Sequence, residues 1–219
     1  MTDASLVDRR VAVLLDRYGR TFSQELDIPL ARGTPEALFR WLTASILYAA
    51  RIDAGIATGA ARGVAAAGWT SAVALAASRF EDRVAVLDDA RYTRFDERAA
   101  GLLADAAVHV RDRWEGDLRY LREAAGCEAK PEQALLREIP GLGPTGAQIF
   151  CREAQLCWGE LYPFCDKKAW SAAKALGLAG SVRELAQRVP EDDFARLVAA
   201  LARAALANEV DDVRRAAAA

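Results

Sequence analysis

Two features of this chain could do chemistry: a glycine-punctuated turn, Pro140-Gly141-Leu142-Gly143, and an aspartate, Asp166, about two dozen residues downstream. Both lie in REIPGLGPTGAQIFCREAQLCWGELYPFCDKKAW, Arg137 to Trp170. Gly141 and Gly143 carry no side chain. Backbone N–H groups at the start of the following helix can therefore approach a phosphate closely and meet it with the positive end of the helix dipole. Such a turn grips a nucleic-acid backbone without many lysines. Asp166 places one carboxylate at the start of the next helical run, beside Lys167 and Lys168. The plain alternatives are an αα-corner for the turn and a helix N-cap for the aspartate.

The elements that must position these residues are helices. A helix ends at Ile139, a second opens at Pro144, and a third runs from Lys167 to Leu176, because proline suits the first helical position and glycine the turn. Elsewhere helical periodicity dominates and strand alternation is missing. Helices are expected over Asp3–Tyr18, from Thr34 to Ala50, over Ala54–Ala66, Ser71–Ser78, Asp82–Asp88, Phe95–Trp114 and Asp117–Ala125. Two more open at Ser181 and at Pro190, the last reaching about Val213. Gly19 to Gly33 reads as a polar connector, Gly126 to Lys130 as a loop, and the alanine-rich terminus as frayed. The reading is an all-α protein of about ten helices.

Composition bounds the function. The chain has 219 residues, 53% hydrophobic and 27% charged, which suffices for a substantial core. It contains no apolar run long enough for a membrane span, and charges run through Met1 to Ala31, so no membrane association or signal peptide is expected and a cytoplasmic location is. With 29 basic and 31 acidic residues, the net charge of −2 does not suggest coating of nucleic acid by bulk electrostatics. Any DNA contact must be local. Arg137, Arg152, Lys167, Lys168 and Lys174 are balanced within their own stretch by Glu138, Glu153, Glu160 and Asp166. The four cysteines, Cys127, Cys151, Cys157 and Cys165, form no metal-ligand pattern, and Cys151 and Cys157 are expected to pack as small hydrophobes in the second hairpin helix. His109 cannot make a zinc site alone.

The order hydrophobe, PGhG, small residue, helix, then an aspartate resembles the helix-hairpin-helix DNA glycosylase superfamily of endonuclease III-like proteins. TPEALFRWLTASILYAARID (Thr34 to Asp53) looks like its first helix, and ARYTRFDERAAGLLADAA (Ala90 to Ala107) like its LYxxKAxxI segment, so the resemblance covers roughly residues 34 to 178. It implies a two-lobed, all-helical glycosylase fold: residues 34–125 as one lobe, 126–178 as hairpin and aspartate segment, and residues 1–33 and 179–219 joining in the other lobe. The hairpin and Asp166 would lie at the mouth between lobes.

The implied activity is hydrolysis of the N-glycosidic bond of a damaged base in double-stranded DNA, in base excision repair. Bond cleavage builds positive charge on the sugar, which the Asp166 carboxylate would stabilise while orienting water. Gly141, Leu142, Gly143, Thr145, Gly146, Lys167 and Lys168 would contact DNA, and backbone carbonyls of Ile139 and Gly141 would hold a monovalent cation. Thr145 stands where strand-nicking members carry a lysine, so a monofunctional enzyme is implied. No cysteine follows Cys165, so no Fe-S cluster and no other cofactor is implied. Ala44 replaces the glutamate of adenine-excising relatives, and Ala50 the glutamine that fills the gap left by a flipped base. These departures look most like clusterless alkylpurine-type members, in which an aromatic pocket selects a cationic base; Trp41, Tyr48, Trp158, Tyr162 and Trp170 are the candidate walls. A monomer is expected. The alternatives are a non-catalytic helix-hairpin-helix DNA-binding protein and a helical interaction module that kept only the fold.

Overall fold

A computed structural model of the chain describes residues 3–93 and 96–218, and among them there are helices and no strand. The α-helices are α1 (Asp3–Tyr18), α2 (Phe22–Glu25), α3 (Pro35–Ala49), α4 (Ala54–Ala66), α5 (Ala72–Ala76), α6 (Phe80–Asp89), α7 (Asp96–Trp114), α8 (Leu118–Ala124), α9 (Ala129–Glu138), α10 (Gly143–Ala154), α11 (Lys167–Ala175), α12 (Val182–Ala186), α13 (Glu191–Leu206) and α14 (Val210–Ala218). Short 3-10 turns occupy Leu30–Arg32 and Gly159–Leu161. The expected helix start at Phe95 lies outside the described residues. None of the described helices is long and apolar enough to cross a membrane.

Caps written in the sequence set several boundaries. The Thr34 hydroxyl accepts from Ala37 N at 3.2 Å with Pro35 in the first helical position, and Ser181 Oγ accepts from Glu184 N at 3.1 Å. Gly177, at φ +62°, ends the segment after α11 in the left-handed region. Four expectations are corrected. The connector from Gly19 to Gly33 contains α2 and a 3-10 turn. The last long helix does not continue to Val213: it stops at Leu206, because Asn208 turns left-handed at φ +59° and Glu209 N reaches back to Ala204 O at 2.9 Å. The alanine-rich terminus is placed as a helix, α14, which runs to Ala218 and buries Val213 and Ala217. Cys157 lies beyond the end of α10, which stops at Ala154.

The chain divides into two compact units, one of Met1–Glu25 with Cys151–Ala219, the other of Leu26–Phe150. The division falls inside α10. In the first unit α13 is the axis, packed against α1 and α11. It buries Phe194, Leu197, Val198 and Leu201 together with Ala195, Ala199, Ala200, Ala202 and Ala204, so just over half of its inward face is methyl-sized and neighbouring backbones can approach closely there. Its arginines pin the connector: Arg196 Nε donates to Gly19 O at 3.0 Å, and Arg203 Nε to Arg20 O at 2.8 Å.

In the second unit α3 packs on α4, α7 and α8, and α7 on α5 and α6. Trp41 is fully buried and its indole donates to Phe150 O at 3.0 Å. Arg83 is buried as well, donating from Nε to Ala100 O at 2.9 Å and from Nη1 to Ser78 O at 2.6 Å.

His109, on α7, has a ring Nε2 that is buried without a hydrogen-bond partner among the described residues. Burial, and then the nearby Arg113 charge, lower its pKa below 6.5, with Glu138 opposing. The folded chain thus binds fewer protons than the unfolded one between the lowered value and 6.5, so stability rises with pH through that window and is complete above it. His109→Gln is expected to flatten urea midpoints measured between pH 5 and 7; an unchanged pH dependence would remove His109 as its source.

Candidate nucleic-acid interface

The hairpin is built as its residue types demand. Helix α9 ends when Ile139 N bonds to Leu136 O at 3.2 Å, Leu142 N closes the turn on Ile139 O at 3.2 Å, and Gly146 N returns to Leu142 O at 2.9 Å. Ile139 and Leu142 are both 1% exposed, so these side chains plug the hairpin into its unit while the backbone turns. Gly141 (φ +80°) and Gly143 (φ +53°) occupy the left-handed region.

The two glycines have different surroundings. A methyl at Gly141 would meet Leu102 Cβ at 3.0 Å and Ile46 Cγ2 at 3.2 Å, so this glycine is required by close packing. A methyl at Gly143 would meet nothing within 4 Å. Thr145 is exposed. Pro144 has no N–H, and the N–H groups of Gly143 and Thr145 donate to none of the backbone carbonyls described, whereas Gly146 is buried, its Cβ position 2.9 Å from Leu142 Cδ1. Of the five hairpin residues expected to contact DNA, Gly143 and Thr145 therefore have open surroundings, while Gly141, Leu142 and Gly146 make the corner compact.

Asp166 caps α11, its Oδ1 accepting from Lys168 N at 2.9 Å and Ala169 N at 3.2 Å. Its Oδ2 takes Arg152 Nη1 at 3.2 Å, and the two side chains are only 6% and 4% exposed. Arg152 also stacks over the Phe22 ring, 4.7 Å from its centroid. Next to it Glu153, fully buried, accepts from Phe22 N and Ser23 N at 2.8 Å each and so caps α2. Arg152 is thereby corrected from a member of a surface charge set to an interior residue, and Glu153 with it. Both oxygens of Asp166 are engaged. Cys165 beside it has its thiol pushed up to about 12, first by burial and then by the Asp166 charge.

Lys167 and Lys168 are exposed at the start of α11, along an open depression that also includes Ser171, Asn208 and Asp211. Lys174, about two turns further, stands 6.0 Å from the Trp170 ring centroid. Of the aromatic side chains expected to wall a base pocket, Trp41 and Trp158 are buried and Tyr48, Tyr162 and Trp170 are half-buried. Trp41 and Trp158 are 0% and 1% exposed, Tyr48 shares a hydrogen bond with the Thr58 hydroxyl at 2.8 Å, and Tyr162 packs edge-on against Phe194 at 5.5 Å. Among the described residues no three metal-binding side chains gather into a possible ion site.

A feature that sequence reading missed lies beside the hairpin turn. A cavity of about 320 Å³ is lined by Ile46, Ala49, Ala50, Tyr92, Ala99, Leu102 and Gly141, with Arg51 and Arg98 also on its wall. No short-range pattern links these arginines to the glycine turn, so only the fold reveals them.

Compared with models of known families, with curated proteins and with solved structures, the chain matches none.

Proposed function

We propose that the protein binds double-stranded DNA carrying a damaged base, through its hairpin turn. The observation that carries this reading is Gly143: a left-handed residue with open space where a side chain would be, next to helix-start N–H groups without backbone partners. That is the local chemistry a phosphate needs. Gly143→Asn tests it, because asparagine tolerates the left-handed region while its side chain obstructs the approach. Duplex affinity at low salt is expected to fall about tenfold, the equivalent of one contact of roughly 1.4 kcal/mol, with the unfolding midpoint nearly unchanged. Affinity equal to wild type would mean the turn does not touch DNA.

Monofunctional base excision by Asp166 is the second reading, favoured by the position of this carboxylate at the start of α11, 23 residues after Gly143 in the chain. It requires Asp166 to exchange the Arg152 contact for the sugar. Incubation of wild-type protein with duplexes bearing alkylated, oxidised or deaminated bases, followed by alkaline cleavage at abasic sites, tests it. Product from at least one lesion supports excision; none from any leaves the DNA-binding reading alone.

A further inference from the structure

The cavity beside Gly141 is a site of a different kind from the hairpin. Tyr92, 1% exposed, backs the cavity, and its hydroxyl already donates to Leu47 O at 3.0 Å, so it presents no free polar group there. The cavity's sides are the small residues Ala49, Ala50 and Ala99 with Ile46 and Leu102, and among the described residues no carboxylate lines it. The charged members are Arg51, after the end of α3, and Arg98, in the first turn of α7; both are exposed and neither makes a hydrogen bond or ion pair among the described residues. Asp96 and Glu97 share that turn of α7 but are not on the cavity wall.

We propose that this cavity binds one nucleotide, its ring between the alanines and Tyr92 and its phosphate on Arg51 and Arg98. An apolar slot asks for a flat, weakly polar body, and two exposed guanidiniums without a partner among the described residues ask for a doubly accepting anion such as phosphate. About 320 Å³ is at the small end of ligand pockets, which suits a single ring system and not a long acyl chain. The choice of a nucleotide among aromatic anions rests on the DNA reading above. The nucleotide belongs either to a bound strand, as an extrahelical unit, or to the free mononucleotide pool.

Four full-length proteins separate these cases: wild type, Arg51→Gln/Arg98→Gln, Ala50→Trp, which fills the slot from a half-buried position, and Gly143→Asn. Each is titrated with a paired duplex, the same duplex carrying a one-nucleotide bulge, and deoxyadenosine monophosphate, with amide shifts of Arg98 and Ala99 followed by NMR. Wild type is expected to prefer the bulged duplex about tenfold over the paired one, one decade of affinity. The arginine pair variant and Ala50→Trp are expected to lose that preference and keep paired-duplex affinity, while Gly143→Asn weakens both duplexes alike. Binding of the monophosphate alone, abolished in the same two variants, would also support the site and assign it to free nucleotide. A wild type without bulge preference and without monophosphate shifts overturns the cavity proposal even if paired DNA binds. Absence of any DNA binding overturns the hairpin reading, and the monophosphate arm still decides the cavity.

Discussion

Asp166→Asn is expected to lower the unfolding free energy by about 3–5 kcal/mol, because asparagine can keep the cap on α11 but leaves the Arg152 charge buried without its counter-charge. The magnitude follows from burial. At the 4% and 6% side-chain exposures of this pair, solvent does little to replace the lost partner. A buried ion pair exchanged as a whole for apolar groups can be nearly neutral. Asp166→Asn combined with Arg152→Met should therefore recover much of the loss, measured by urea denaturation as a double-mutant cycle. A single-variant loss under about 1 kcal/mol would show that Asp166 is not held in place by Arg152, which would free it for the sugar. The same numbers govern any activity comparison: a fall in excision by Asp166→Asn carries meaning only per folded molecule.

Glu153→Ala is expected to cost about 3–6 kcal/mol. Two backbone donors, Phe22 N and Ser23 N, lose a charged acceptor inside the protein, each such bond being worth about 1.5–3 kcal/mol. Glu153→Gln, which retains one carbonyl oxygen, should fall between alanine and wild type. Amide exchange supplies the local reading: Phe22 and Ser23 should lose protection in Glu153→Ala before α13 does. If their exchange is unchanged, α2 is held by Arg203 and its neighbours without the glutamate.

Sequence reading reached the elements wherever a residue type has one dominant local use. Thr34-Pro35, Ser181 and Gly177 mark helix ends through bonds within four residues, so the boundaries near them are legible. Pro140-Gly141-Leu142-Gly143 marks the hairpin for the same reason. Asp166 as an N-cap was legible too, but its second partner was not. Arg152 and Glu153 are adjacent charged residues on a helix, a pattern that ordinarily faces solvent, and only the approach of α2 and α11 turns both inward. The same limit applies to Asn208, whose left-handed break interrupts an apolar periodicity that otherwise runs on past Leu206. The cavity arginines are the extreme case, since Arg51, Arg98 and Gly141 come from three distant parts of the chain.

The methyl-lined face of α13 has a consequence for how this chain tolerates change. Truncating its inward positions to alanine is at Ala195, Ala199, Ala200, Ala202 and Ala204 no substitution at all, so deletion scanning reports on this face only at Phe194, Leu197, Val198 and Leu201. Enlargement is the sensitive direction, since an added isobutyl group has no void to enter and must push a neighbouring helix away. Drift along α13 is therefore bounded by a ceiling on side-chain size more tightly than by a demand for greasiness.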